Sequence, residues 1–539
     1  MQMKIPRTSK HISLGGVAVL LVASSLLAQV LGFLRTKLVN ANFLAVGHHS
    51  TDSYFAAFTI PDFFFFTIAA GALGVAFMPV LADHLARGDR KGMWRLTGSL
   101  LNMLCIIMLF VAVIMFVFAE PLLHHIVAPK LGAQQLHDAV VIMRFLSLNP
   151  LLFTISGILA ATQQSLGRFF FYATAPLFYN GSIILSAIIF SDVSPHNGGP
   201  GHLGITGLGI GALVGAVLQL LVVLVGVYGT GFVWRPKIDW GHADFRQVVR
   251  NLPPRSLDQG IDQLESIVET NFATRLGPGS VSYYSNAYTL QLAPVLLIGT
   301  AISTAVFPRL NNRLSQGRPD LFRQDFLRFL RLIIWIALPV VVVAFFGRGY
   351  LARLIFSRNS GDIANIFGFL TVAILFRTIY TFISRWFYAQ KDTRTPLYVS
   401  IFTISFNILL AYLLTRPGGY GLPGLALAQS ITAAVEVAIL GSIMLARDPQ
   451  LFDQTFWSGV WRTISVTGFS LVAGYITVSY APLGAEDRGF VTLGSKFLLI
   501  AGVTIATHFA VSGLFGLEEA QPFWRWLRKF TLRPVKVDY

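Results

Sequence analysis

Runs of about twenty apolar residues recur along this chain, the length a helix needs to cross the hydrocarbon core of a bilayer. The stretch LNMLCIIMLFVAVIMFV at Leu101–Val117 is one of them. Lipid offers no water to satisfy backbone amides, so only helices or closed barrels cross it, and unbroken apolar runs specify helices. With 54% hydrophobic and 12% charged residues, the chain has too little polar surface to cover a soluble globule. The expectation is an all-α polytopic membrane protein with about 14 transmembrane helices. Their centres fall near Leu21, Thr67, Met108, Pro150, Leu177, Leu218, Glu265, Val295, Ala337, Phe376, Phe406, Val435, Leu471 and Thr504.

The chain is also written twice. SYFAAFTIP…AFMPVLADHLARG at Ser53–Gly88 returns as SYYSNAYTL…AVFPRLNNRLSQG at Ser282–Gly317. Pro79 and Pro308 lie 229 residues apart (308 − 79), as do Tyr54 and Tyr283, Leu81 and Leu310, and Gly88 and Gly317. Duplicated bundles are how many secondary transporters build an alternating-access site. The predicted organisation is two pseudo-symmetric six-helix lobes, residues 1–230 and 231–447. A C-terminal two-helix hairpin with a basic tail follows, residues 448–539. Each lobe has an even number of spans, so both run in the same direction, and a central cavity between them is expected.

Basic residues mark the cytoplasmic loops. Lys4, Arg7 and Lys10 precede the first span, and Arg87, Arg90, Lys91 and Arg95 follow the second. The alternation continues through Arg235 and Lys237, Arg309 and Arg313, and Lys391 and Arg394 to the tail residues Arg525, Arg528, Lys529, Arg533 and Lys536. Both termini are predicted to be cytoplasmic, and the first span is read as an uncleaved helix. The net charge of +16 is accounted for by this distribution and by anionic lipid headgroups, so nucleic acid is not an expected partner. Cys105 is the single cysteine, which excludes an intrachain disulfide.

Charges inside a span are costly and mark function. The seventh span, PPRSLDQGIDQLESIVETNFATRL, carries Asp258, Asp262, Glu265 and Glu269 at i, i+4, i+7 and i+11, one helical face over about 16 Å. Such a face is expected to keep a vestibule wet, bind cations or pair with basic groups. Glu269 is the candidate ligand for a coupling Na⁺ or H⁺, with Asp262, Glu265 and the amide oxygen of Asn407 as further candidates. Among in-span cations, Arg35 and Arg377 are expected to face the cavity. Arg144 and Arg255 are placed to snorkel to headgroups. The small residues of GLGIGALVG from Gly207 are read as helix packing. The pairs His48–His49 and His124–His125 need no metal to explain them at span ends, and no metal site is expected.

Three stretches resemble the MurJ (MviN) family of lipid II flippases, within the superfamily of multidrug, oligosaccharidyl-lipid and polysaccharide exporters. QVLGFLRT at Gln29–Thr36 is similar to RVLGFxRD. TDSYFAAFTIPDFFFFTIAAGALGVAFMP at Thr51–Pro79 is similar to TDAFxxAFxxPNxxRRxxAEGAxxxAFxP, and FYAQKDTRTP at Phe387–Pro396 to FYxxxDxxTP. With DQLESIVETNFATRL in the seventh span, the likeness covers essentially the whole chain. The resemblance implies a bacterial cytoplasmic-membrane transporter, not an enzyme. It would move a polyprenyl-pyrophosphate-linked peptidoglycan precursor between leaflets for cell-wall synthesis, with cell-wall synthesis proteins as candidate partners. It also implies a cluster of cavity arginines around the pyrophosphate, and a sodium-binding acid at the position of Glu269.

Here that cluster is depleted. Gln29 stands in place of the first family Arg, Phe65 and Phe66 in place of an Arg pair, Ala70 of a Glu, Ala287 of an Arg, and Ala411 of an acid after Asn407. Arg35 and Asp52 stand where the pattern puts them. The substrate-contact candidates are therefore Arg35, Asp52, Arg377, Arg255 and Gln29. A pyrophosphate without compensating cations costs several kcal/mol per charge to desolvate. An exporter of another polyprenyl-linked glycan or of a cationic amphiphile, and a non-transporting scaffold, therefore stay open. A membrane glycosyl- or prenyltransferase lacks support, because no paired-carboxylate metal motif occurs in a polar loop.

Overall fold

The computed structural model describes residues 14–47, 49–70, 77–192, 203–356 and 358–525, with side chains described at all of these except 14–19, 22, 70, 251, 253–259 and 262. Lys4, Arg7, Lys10, His48 and the tail from Arg528 lie outside the described residues, as do the side chains of Arg255, Asp258 and Asp262. Among the described residues the fold is helical, and the one strand-like pairing is an isolated bridge between Leu44 and Ser50.

The chain forms two compact units, Met1–Gly279 and Ser280–Tyr539. The first contains α1 (Leu14–Asn42), α2 (Thr51–Phe64), α3 (Met78–Ala86), α4 (Arg90–Val117), the single turn α5 (Ala119–Pro121), α6 (Ala133–Leu146), α7 (Asn149–Ser165), α8 (Phe169–Ile189), α9 (Gly207–Val227) and α10 (Ala243–Thr274). The second contains α11 (Ser280–Pro294), α12 (Ala301–Ser315), α13 (Pro319–Ile355), α14 (Ser360–Ala389), α15 (Arg394–Leu414), α16 (Leu422–Arg447), α17 (Gln454–Tyr480) and α18 (Phe490–Leu514).

Eleven described segments are long and apolar enough to cross a membrane. The other three expected spans, the first, second and seventh, coincide with α1, with α2 and its continuation, and with α10. The seventh falls short of the apolar criterion because its carboxylates interrupt it. Large apolar side chains such as Leu109, Phe110, Val113 and Phe116 on α4 are more than half exposed, which suits a surface solvated by lipid. The chain is a multi-pass membrane protein.

The sequence repeat has a structural echo. A π-helical segment, Phe65–Ala70, follows α2, and another, Val295–Thr300, follows α11, so the two begin 230 residues apart (295 − 65). A proline precedes each segment, Pro61 inside α2 and Pro294 at the end of α11.

The first unit's core gathers Phe43 just after α1, Ile60 of α2, Met143 of α6, Ile183 of α8, Leu208 of α9 and Ile267 of α10. Helices α8 and α9 meet along glycines, because a Cβ on Gly211 would stand 2.3 Å from Ser186 Cβ and one on Gly215 would stand 2.9 Å from the Tyr179 carbonyl oxygen. Ser182 and Ser186 donate across this seam to the carbonyls of Gly211 and Gly207 at 2.8 and 3.0 Å. Packing accounts for the GLGIGALVG stretch. In the second unit α14 packs against α11, α13 and α16, and the hairpin α17–α18 docks on α13. Trp335 Nε1 donates to Ser512 Oγ at 2.9 Å across that contact.

Candidate functional site

Two buried polar clusters stand out, one in each unit. In the first, Arg35 on α1 is half-buried and close enough to Tyr54, Asp62 and Tyr179 to act on all three electrostatically. Asp62, Asn149 and Tyr179 share the wall of a cavity of about 10 Å³ with Phe65 and Phe153. That is about the room one water needs. The Phe65 ring packs edge-on against Phe153 at 5.5 Å between centroids, and Phe153 against Tyr179 at 5.1 Å. Aromatic packing fills the place where the resembling pattern has a cation, and among the described residues of this cluster the guanidinium of Arg35 stands with a nearby carboxylate.

Asp52 lies in the first turn of α2, 2% exposed, and its carboxylate accepts the backbone N–H of Gly279 at 2.7 Å. That bond ties the start of α2 to the turn after α10. Helix α10 packs against α2 and the segment Phe65–Ala70, approaching so closely that a Cβ on Gly260 would stand 3.0 Å from Thr67 Cγ2. On the acidic face, Glu265 and Glu269 are 7% and 6% exposed, and each engages in polar interactions. Ile267, on the opposite face of the helix, joins the first unit's core, so this part of α10 is enclosed on both sides. Gln29 is exposed on α1, and Arg144 is exposed with its guanidinium 5.8 Å from the Phe116 ring centroid.

The second cluster joins α14, α15 and α16. Arg377 Nη1 stands 3.8 Å from Glu436 Oε2, with the two side chains 19% and 4% exposed. Glu436 Oε1 accepts from Ser400 Oγ at 2.9 Å and from Thr403 Oγ1 at 3.4 Å, and Tyr380 Oη shares a hydrogen bond with Ser400 Oγ at 3.2 Å. One turn from Glu436, Thr432 Oγ1 donates to Asn407 Oδ1 at 3.5 Å, and Asn407 is 2% exposed. Heptad-like spacing builds this layer: Ser400, Thr403 and Asn407 share one face of α15, and Thr432 and Glu436 one face of α16. The structure thus sets Arg377 beside Glu436, and Asn407 beside Thr432 one turn away along α16. Oxygen ligands of this kind suit a hard cation or a proton. On the same unit, Phe345, Phe369, Val372, Leu427, Ile431 and Val435 border an apolar groove of about 570 Å³ on α13, α14 and α16.

Asp392, in the FYAQKDTRTP stretch, has a fastening role. It accepts from the backbone N–H groups of Arg394 and Thr395 at 3.0 Å each, from Thr395 Oγ1 at 2.6 Å, and from Arg447 Nη1 at 2.7 Å. Burial raises its pKa, but the Thr395 and Arg447 hydrogen bonds outweigh that and hold the carboxyl down at about 2. Elsewhere at the ends of spans, Arg309 grips Asp325 through two hydrogen bonds of 2.9 and 2.6 Å, and Arg323 grips Asp448 through two of 2.8 Å.

Asp62 and Glu436 are the residues that sequence reasoning passed over. The signal was present, because each is an acid inside an apolar run, and the rule that singled out the seventh span applies equally to a lone carboxylate.

Comparison with known proteins places these features in context. The family model described as "Lipid II flippase MurJ" matches residues 41–486. A protein of Vibrio cholerae serotype O1 named "Probable lipid II flippase MurJ" is 26% identical over 532 residues, covering 95% of this chain and 97% of its own. The like-named protein of Borreliella burgdorferi is 24% identical over 522 residues, covering 95% and 98%. Among solved structures, a lipid II flippase MurJ in an inward closed conformation superposes with a TM-score of 0.75 at 20% identity, covering 92% of this chain and 98% of that one. An inward-facing multidrug resistance MATE transporter of the MOP superfamily superposes with a TM-score of 0.67 at 15% identity, covering 80% and 98%.

Proposed function

This chain belongs to the lipid II flippase MurJ family, and from that premise we propose that it carries lipid II, the lipid-linked peptidoglycan precursor, across the bacterial cytoplasmic membrane by alternating access. The step is transport without covalent chemistry, and it supplies cell-wall synthesis on the outer side. Both termini lie in the cytoplasm, in keeping with the alternation of basic loops. Cell-wall synthesis proteins would be its partners there.

The observation that carries this reading is Arg35. It lies within the first span, at the family's arginine position, half-buried beside Tyr54, Asp62 and Tyr179. A guanidinium keeps its charge when buried and can clasp a pyrophosphate bidentately. The tyrosine hydroxyls and Asp62 suit sugar hydroxyls. Arg377 and Arg255 would add positive charge, with Asp52 and Gln29 in supporting roles. The apolar groove on α13, α14 and α16 is large enough for part of a polyprenyl tail. Coupling to Na⁺ or H⁺ would run through Glu269, Glu265, Asp262 and Asn407. Glu436 adds an acid to that set, because it shares a polar layer with Asn407.

A second reading is favoured by the acids themselves. Arg35 has Asp62 nearby and Arg377 has Glu436, so these two in-span cations already face an anion. That balance suits a less anionic cargo, such as another polyprenyl-linked glycan or a cationic amphiphile. Rescue of cells depleted of their own lipid II flippase separates the two. Wild type should rescue, and Arg35→Ala should abolish rescue at unchanged membrane abundance. Failure of the wild type to rescue, with cation-dependent dye efflux from the same cells, would replace the first reading with the second.

A further inference from the structure

One cluster outside the transport clusters has the chemistry of a metal centre. His84 near the end of α3, His242 just before α10 and Asp244 in its first turn bring one ligand atom each to within 4.8 Å of one another. His84 Nε2 stands 3.0 Å from Asp244 Oδ2, and His242 Nδ1 stands 3.9 Å from the same oxygen. With bonds of about 2.0–2.1 Å, the edge of a tetrahedral zinc site is about 3.3–3.4 Å, a length these two separations bracket. His84 is 2% exposed, and both imidazole nitrogens are buried, face the Asp244 carboxylate and make no well-formed hydrogen bond to it. A cation held between them would take the lone pairs of both nitrogens and the charge of the carboxylate together.

The surroundings supply what such a site needs. His84 Nδ1 stands 3.1 Å from Asp89 Oδ2, and Asp89 is itself held by the backbone N–H of Gly92 at 2.8 Å. A carboxylate on the far nitrogen places the proton on Nδ1 and leaves Nε2 free to ligate, the arrangement that orients metal-bound histidines. The side chains of His242 and Asp244 are 20% and 25% exposed, which gives an ion a way in and leaves water a fourth position. Two imidazoles and one carboxylate favour a transition metal over calcium or magnesium, whose sites are built of oxygen.

We propose that His84, His242 and Asp244 form a divalent transition-metal site, with Zn²⁺ as the fitting ion, that staples the end of α3 to the start of α10. The two elements are 158 residues apart in sequence (242 − 84), so occupancy would fix the first unit at the end bearing the basic Arg87–Arg95 loop.

The test uses the full-length protein in detergent without a polyhistidine tag, with Zn²⁺ as the probe in competition with a chromogenic chelator. Wild type should withdraw one equivalent. His84→Ala and His242→Gln should each lose that equivalent, and Asp89→Asn should weaken it about 10–100-fold. His242 is partly exposed, so the metal-free melting temperature of His242→Gln should match wild type, separating ligand loss from misfolding. The exposed pair His124 and His125 serves as the control. The proposal is overturned if wild type withdraws no zinc, or if the bound equivalent survives His84→Ala and His242→Gln but disappears in His124→Ala/His125→Ala.

Discussion

Replacing Asp392 separates a fastener from a ligand, and the size of the effect follows from its bonds. Two of its partners are the N–H groups of Arg394 and Thr395 in the first turn of α15, which have no acceptor within the helix. Losing such a cap costs about 1 kcal/mol. The charge adds a second share. A carboxyl held at about 2 instead of 3.8 carries about 2 kcal/mol at full strength, and screening at an Arg447 that is 40% exposed reduces this to about 1 kcal/mol. Asp392→Asn keeps an oxygen acceptor and loses the charge, so it should cost about 1 kcal/mol, and Asp392→Ala about 2 kcal/mol. The lowered pKa fixes the sign with pH: the charge share is complete above about pH 4 and is lost as pH falls through about 2. Unfolding in mixed micelles, titrated with SDS at pH 7 and near pH 2, measures both shares. The wild-type advantage over Asp392→Asn should vanish at the acid end, and Asp392→Asn should still support rescue. Equal losses for Asn and Ala, or an advantage that persists unchanged near pH 2, would refute the reasoning.

The seam between α10 and the first π-segment can be probed through Gly260, whose added Cβ would press on Thr67. Gly260→Leu should destabilise by about 1–3 kcal/mol in thermal unfolding, whereas Gly98→Ala, with open space around the new Cβ, should be neutral or stabilising by up to about 1 kcal/mol. Similar losses at both sites would contradict the packing described. For the second unit, a double-mutant cycle with Arg377→Met and Glu436→Gln should give a coupling energy of about 0.5–3 kcal/mol in unfolding. A coupling near zero would mean that the 3.8 Å pair contributes nothing to the layer.

The spans were legible because hydrophobic length is a local property, summed along the chain without knowledge of what packs where. The duplication was legible for a similar reason: Pro79 and Pro308, Tyr54 and Tyr283, and Gly88 and Gly317 keep one constant spacing along the chain. The acidic face of α10 could be read from periodicity, but its surroundings could not. Whether Glu265 and Glu269 meet water depends on what packs around that helix, and both its faces are covered, with Ile267 in the core on the side opposite the acids. The same limit hid the partners of the arginines.

The sequence by itself determined a helical membrane protein, its internal repeat and the family to which it belongs, all of which reside in composition, spacing and motif. Only the tertiary structure decided which acid meets which base. Asp62 near Arg35, Glu436 beside Arg377, and His84 with His242 and Asp244 are juxtapositions across different helices. They depend on helix rotation, crossing and the close approach of backbones, and no pattern along a single segment records those.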